Sequence, residues 1–357
     1  MRNSSAILLV AVLAASPAFA DKGTIKQLKK GDPAERAEAA WNLGEYKAYE
    51  AVPDLAEALT KDKDQYVRAN AAASLWAMAD HASAATTALK AALKDPYGRV
   101  RVNAAGALRR METPKSELMP PLEEVVAGTD KSSAAYAANL LITMGRDPKE
   151  FVPVLLRGLD DADVEVRKGV IENIREQKKD SAEYAPVLLK GLKDKDEIVR
   201  VWSAAELGDK IYATAEVADA LKRAASDRSE SVRSTAAGAL QKVGSASGGA
   251  AAADATATLL KSIQDRKGSV RAEAAESLGE MKKATPEIIA ALKACLTDKD
   301  KDVRNKAADA FAAIGKPAKE VVPDLWAIWN NKKEDVFVRH AAGRALGAMG
   351  EKVDWKE

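Results

Sequence analysis

Alternating acids are the raw material of a calcium loop, and Asp298-Lys299-Asp300-Lys301-Asp302 has that alternation. Such a loop also needs a glycine at its sixth position and a bidentate glutamate at its twelfth; here those places hold Val303 and Asp309. The segment runs into a helical pattern, so the acids read as helix caps. Only two histidines, His81 and His340, and one cysteine, Cys295, occur in the chain. An intrachain disulfide and a four-ligand Cys/His zinc site are therefore excluded. Cys295 lies in Ala291-Leu292-Lys293-Ala294-Cys295-Leu296, on an apolar helical stripe, and reads as a small buried hydrophobe. His340, beside Arg339, could serve as a general base, but no serine, cysteine or paired carboxylate is placed to complete a triad. It reads as an exposed residue on the last structural element. Gly-x-Ser-x-Gly, P-loop and dinucleotide-binding glycine patterns are missing. Gly343 and Gly347 lie four apart in a helical stretch and read as close helix packing. No catalytic residue, metal site or cofactor is expected.

The one constellation that recurs is an aspartate and an arginine six residues apart. The arginine stands in a Val-Arg pair at Arg68, Arg101, Arg167, Arg200, Arg233, Arg271, Arg304 and Arg339. Two degenerate copies, at Arg36 and at Ser133-Ala134, complete a series of ten with steps of 32 to 38 residues, most of them 33. Catalytic carboxylates do not recur at one position in seven copies; architecture does. Counting from the arginine, positions minus one, three, four and seven are apolar, as in Val67, Ala71, Ala72 and Leu75. That spacing places them on one stripe of an α-helix, helix B of each copy. Ahead of it runs a second apolar segment, such as Val152-Pro153-Val154-Leu155-Leu156, with proline where a helix begins: helix A. Between them sit acidic turns, Asp62-Lys63-Asp64 and Asp194-Lys195-Asp196 among them, suited to capping helix B. Neither helix can bury its stripe alone, so the expected fold is all-α, an α-solenoid of about ten two-helix repeats.

Residues 1–20 have the order of a secretory leader: Arg2, the apolar stretch Ala6 to Ala15, then Ala18-Phe19-Ala20 as a small-x-small cleavage site. Export and a mature chain beginning at Asp21, periplasmic or secreted, are expected. The apolar run is too short to span a membrane of about 20 helical residues, and Pro17 follows it. In the whole chain 55 lysines and arginines stand against 53 acids, interleaved, which speaks against a nucleic-acid partner. Aromatics are only 5% of the residues while hydrophobics are 47%, so the core must be built from Ala, Leu and Val.

Asp six before the arginine, then Val-Arg-x-x-Ala-Ala-x-x-Leu-Gly, resembles the HEAT repeat, in particular its bilin-lyase-like (PBS lyase) variety, over residues 24 to 350. The resemblance implies a hydrogen-bonded ladder. Asp62, Asp95, Asp161, Asp194, Asp227, Asp265 and Asp298 would pair with Arg68, Arg101, Arg167, Arg200, Arg233, Arg271 and Arg304 of their own or adjacent repeats. Lys30, Gly128 and Lys333 stand at the aspartate position in the remaining copies, so the ladder should be interrupted there. The resemblance also raises enzymatic activities. Deoxyhypusine hydroxylase, of this fold, holds two irons with His-Glu pairs, whereas His81 and His340 are followed by Ala82 and Ala341. A lyase or oxidoreductase-related role remains the alternative to a binding role.

In such a stack the second helices line the concave face, with positions two and five after each arginine pointing away from the core. Those positions supply Trp41, Asn70, Asn103, Tyr136, Asn139 and Trp202 in the first six repeats and mostly charges in the last three. Trp, Tyr and Asn anchor interfaces, so these six are the candidate partner-binding residues of a non-enzymatic scaffold for a protein or peptide. A glycan would use the same chemistry. Repeats one to seven occupy residues 21–244 and repeats eight to ten 254–350, with a tail over 351–357. The Gly/Ser/Ala-rich stretch 245–253 falls in the longest step and is expected to be a joint.

Overall fold

The computed structural model describes residues 22–177 and 181–355; the leader read over residues 1–20 lies outside them. The chain is an all-α solenoid of twenty α-helices among the described residues, in two compact units that divide between Asp147 and Pro148. The Gly/Ser stretch 245–253 lies inside the second unit.

Unit one holds four helix pairs: α1 (Lys22–Lys30) and α2 (Pro33–Glu45), α3 (Val52–Lys61) and α4 (Gln65–Ala77), α5 (Thr86–Ala92) and α6 (Gly98–Arg110), α7 (Lys115–Ala127) and α8 (Lys131–Thr143). Unit two holds six: α9 (Val152–Gly158) and α10 (Val164–Glu176), α11 (Ala185–Gly191) and α12 (Glu197–Leu207), α13 (Ala215–Ala224) and α14 (Glu230–Ser247). Its last three pairs are α15 (Gly249–Ser262) and α16 (Gly268–Glu280), α17 (Pro286–Cys295) and α18 (Lys301–Ile314), α19 (Val322–Asn330) and α20 (Val336–Met349). Each pair is one repeat, odd helices being A and even helices B.

Pro53, Pro153, Pro186, Pro286 and Pro323 sit in the first turn of their A helices, where the missing N–H breaks no intrahelical bond. The acidic turns divide two jobs. The second acid caps helix B, as Asp64 does by accepting the N–H groups of Tyr66 and Val67 and Asp196 those of Ile198 and Val199. The first acid closes helix A and is left free to reach the neighbouring repeat. The apolar stripe of helix B is buried throughout: Val67, Ala71, Ala72 and Leu75 in α4, and Val270, Ala274, Ala275 and Leu278 in α16, are all inaccessible to solvent.

Small residues here set the distance between successive B helices. The glycine of the Leu-Gly pair faces the next B helix, so that a Cβ added at Gly279 would lie 2.4 Å from the Ala310 Cα, and one at Gly44 2.5 Å from the Ser74 Cβ. Helices this close replace bulky rings by many Ala contacts, which is why a chain poor in aromatics has a continuous core. Cys295 is buried at the end of α17, its thiol pushed up to about 11 by burial.

The longest repeat step is absorbed by lengthening: α14 runs for 18 residues to Ser247, and the chain turns at Gly248 and Gly249, both at positive φ, into α15. The end of the chain returns along α20, where Trp355 packs edge-on against Trp329 and both rings cover Gly343. Gly343 is therefore a close-packing glycine against rings, while Gly347 has open space where a side chain would be.

Candidate interaction groove and arginine ladder

In unit one, α2, α4 and α6 present a groove of about 580 Å³ on the side away from the A helices. Trp41, on α2, is 52% exposed and forms one wall. Trp76, on α4, lies flat on Gly106 of α6: a Cβ there would sit 2.6 Å from the indole ring. The glycine thus makes room for the ring, and the ring makes the floor. Ala73 and Ala77 widen the groove by being small, and Lys47, Arg99 and Arg110 stand around it with Glu45, Arg110 being paired with Asp80.

The two asparagines in this groove also bind the stack together. Asn70 Nδ2 donates to the Ala37 carbonyl at 2.8 Å and Asn103 Nδ2 to the Ala69 carbonyl at 2.9 Å, each reaching back to the preceding B helix. Ser74 Oγ does the same to Ala40 at 2.7 Å. Asn103 is buried, in contrast to the exposed role read from its position. The reason is local: Ala and Gly neighbours let α4 and α6 approach within amide reach, so this side chain bridges backbones.

The other candidates fall in different surroundings. Tyr136, on α8, lies under the Arg99 guanidinium at 3.9 Å and so adjoins the groove through Arg99. Asn139 lies partly buried on the same helix. Trp202 belongs to unit two, on α12, with Arg175 5.1 Å from its ring centre. Trp76, Arg99, Arg110 and Lys47 escaped sequence reading. Trp76 occupies the position that is Gly in the repeat pattern, and that replacement was the available signal.

The recurring aspartates and arginines form a ladder of uniform geometry. The arginine of one helix B binds the aspartate of the next repeat through Nε and Nη2: Arg167 holds Asp194 at 2.8 and 3.1 Å, and Arg271 holds Asp298 at 2.8 and 2.7 Å. Its Nη1 donates to the carbonyl of the aspartate in its own repeat, as Arg167 does to Asp161 at 3.0 Å. Each rung carboxylate also accepts the N–H two residues on, that of Asp196 for Asp194. Arg36–Asp62, Arg68–Asp95, Arg200–Asp227 and Arg233–Asp265 repeat the arrangement. Bonds from Arg233 hold the Asp265 carboxyl below the usual carboxylate range. The last rung departs from the expected break at Lys333: Arg304 holds Glu334 at 3.0 and 2.6 Å. One extra methylene and one residue of offset bring a carboxylate to the same place, and the Arg304 bonds lower its pKa. Two ladder residues lack a rung. Arg101, whose rung position is Gly128, keeps only the bond from Nη1 to the Asp95 carbonyl, and the Asp161 carboxylate accepts only the Asp163 N–H.

A second concavity of about 670 Å³ lies in unit two beside Arg304–Glu334 and Lys293–Asp324. Its charges neutralise one another in pairs, leaving little to recognise a ligand. Among the described residues no group of three or more His, Cys, Asp or Glu side chains could hold a metal ion, and no helix is long and apolar enough to cross a membrane.

Helix pairs stacked in register, tied by a repeated Arg–Asp rung, define an α-solenoid. The chain belongs to the HEAT repeat family: HEAT repeats are matched over residues 22–109, 185–255 and 289–354, and a PBS lyase HEAT-like repeat over 270–298. The crystal structure of an engineered protein is similar over 93% of this chain and 99% of its own, at 23% identity and a TM-score of 0.50. Importin beta, crystallised in an ammonium sulfate condition, is similar over 91% of this chain and 50% of its own, at 15% identity and a TM-score of 0.60. Both likenesses concern the fold alone. No curated protein matches the chain.

Proposed function

We propose that this chain is an exported, non-enzymatic adaptor that holds an acidic peptide segment of a partner protein in the unit-one groove. The observation that carries the reading is Trp41, a half-exposed indole beside a Trp76 floor, with Lys47 and Arg99 beside it and Arg110, itself paired with Asp80 at 2.7 Å, at its edge, against the one lining carboxylate of Glu45. Large exposed rings in a concave, partly apolar setting are what interface hot spots are made of, and the cationic excess favours a carboxylate-bearing partner. Export rests on the leader-like residues 1–20, and terminal sequencing of the mature protein should begin at Asp21.

The test is affinity for a defined segment. Proteins that co-purify with the mature chain from exported fractions are identified, their acidic segments synthesised, and binding followed by tryptophan fluorescence. Trp41→Ala is expected to weaken binding about thirtyfold or more, a loss of about 2 kcal/mol or more, and Arg110→Glu to weaken it further as salt is lowered. Unchanged affinity in both variants, with circular dichroism showing them folded, would remove the groove from consideration.

A further inference from the structure

Arg101 is an arginine set up for a carboxylate that the chain does not supply. In intact rungs the carboxylate accepts three N–H groups: Nε and Nη2 of the preceding arginine and the backbone N–H two residues beyond the aspartate. Arg68 with Asp95 and the Tyr97 N–H shows the set, at 2.7, 3.1 and 2.8 Å. At the next step the aspartate is replaced by Gly128, 27 residues after Arg101, the same separation as Arg68 to Asp95. Arg101 nevertheless keeps the ladder orientation, because its Nη1 still donates to the Asp95 carbonyl at 3.1 Å. Its Nε is buried and has no hydrogen-bond partner. Nor do the described residues place an acceptor on the Asp130 N–H, the third donor of the set. The backbone at the gap already has the rung conformation: Gly128 is extended, at φ −71° and ψ 173°, close to Asp62 at φ −68° and ψ 136°.

We infer that the gap between Arg101 and Gly128 is a receptor for a carboxylate supplied from outside the chain. A guanidinium fork with an unpartnered, buried N–H is poorly solvated, and a carboxylate matches its two parallel donors better than water or a halide does. The feature is independent of the Trp41 groove. The shared chemistry is a carboxylate, whether a free small ion or an acidic side chain of a partner.

Thermal melts of the mature chain test it, with sodium formate titrated against sodium chloride at constant ionic strength. A ligand that binds only the folded state raises Tm in proportion to the logarithm of its concentration above Kd. The wild type should show that formate-specific rise. Gly128→Asp, which supplies a carboxylate from within, and Arg101→Gln, which removes the fork, should both stay flat. N-acetyl-aspartyl amide in place of formate separates the sources: a matching rise shows that the gap admits an acidic side chain, a rise with formate alone restricts it to small free carboxylates. No formate-specific rise in the wild type, or the same rise in all three proteins, overturns the inference.

Discussion

The rungs differ in how deeply they are buried, and that difference decides what each is worth. Arg167 and Asp194 have 3% and 8% of their side chains exposed, Arg36 and Asp62 20% and 10%. Removing one partner of a buried pair leaves the other charge desolvated, at a cost of about 3–5 kcal/mol. Asp194→Asn should therefore destabilise unit two by about that amount in urea unfolding, and Asp62→Asn, whose arginine can turn toward water, by clearly less. The rungs also set the acid response. Asp265 and Glu334 have folded pKa values below their unfolded ones, so the stability they confer is complete above the unfolded carboxylate range near about pH 4 and is lost as pH falls through the folded values. Consequently the deficit of Asp265→Asn relative to wild type should shrink as melts are taken below about pH 4. Glu273 runs the other way. Burial raises its carboxyl pKa, helped by Glu276 and Glu280 and opposed by Lys306 and Lys242, so its ionised form is a burden above the unfolded pKa. Glu273→Gln should raise Tm at pH 7 and leave it unchanged in acid. The ladder aspartates were legible because they recur; Glu334 was not, since it lies one residue off register in a lengthened repeat.

Close approach at glycine is the determinant at the scale of helices. A methyl at Gly279 would meet the Ala310 backbone, which cannot swing aside as a flexible side chain could. Gly279→Ala should destabilise by about 1–3 kcal/mol, against the usual gain from replacing a helical glycine, and a calorimetric melt reads the sign directly. The two-helix repeat and its buried stripe could be read from residue spacing alone, because a 3.6-residue period survives any packing detail. What spacing could not show was the closeness of neighbouring B helices. That closeness turns Asn103 from a surface amide into a buried bridge to Ala69, and lets Trp76 lie across Gly106 to floor a groove. Both follow from which small residues face which large ones across a helix pair, information that sits about 30 residues apart in the chain. The groove's cations, coming from a loop after α2 and both ends of α6, were invisible for the same reason.

For the molecule as a whole, a stack in which each repeat touches its neighbours is only as cooperative as its weakest junction. The fourth repeat is the most degenerate copy: Gly128 replaces its aspartate, Ala134 its arginine, and Pro120 and Pro121 interrupt the hydrogen-bond ladder of α7. The division into compact units follows this repeat, at Asp147 and Pro148. Inside unit two the rungs run without a break from Arg167–Asp194 to Arg304–Glu334, and Arg233–Asp265 spans even the longest step. Native-state hydrogen exchange should then report two cooperative blocks, with amides of α9 to α20 opening together and those of α1 to α8 opening at a different free energy. Asp194→Asn should lower protection throughout the second block and leave the first within about 0.5 kcal/mol of wild type, as distant independent sites do. A uniform loss across all ten repeats would mean that the ladder does not set the cooperative blocks.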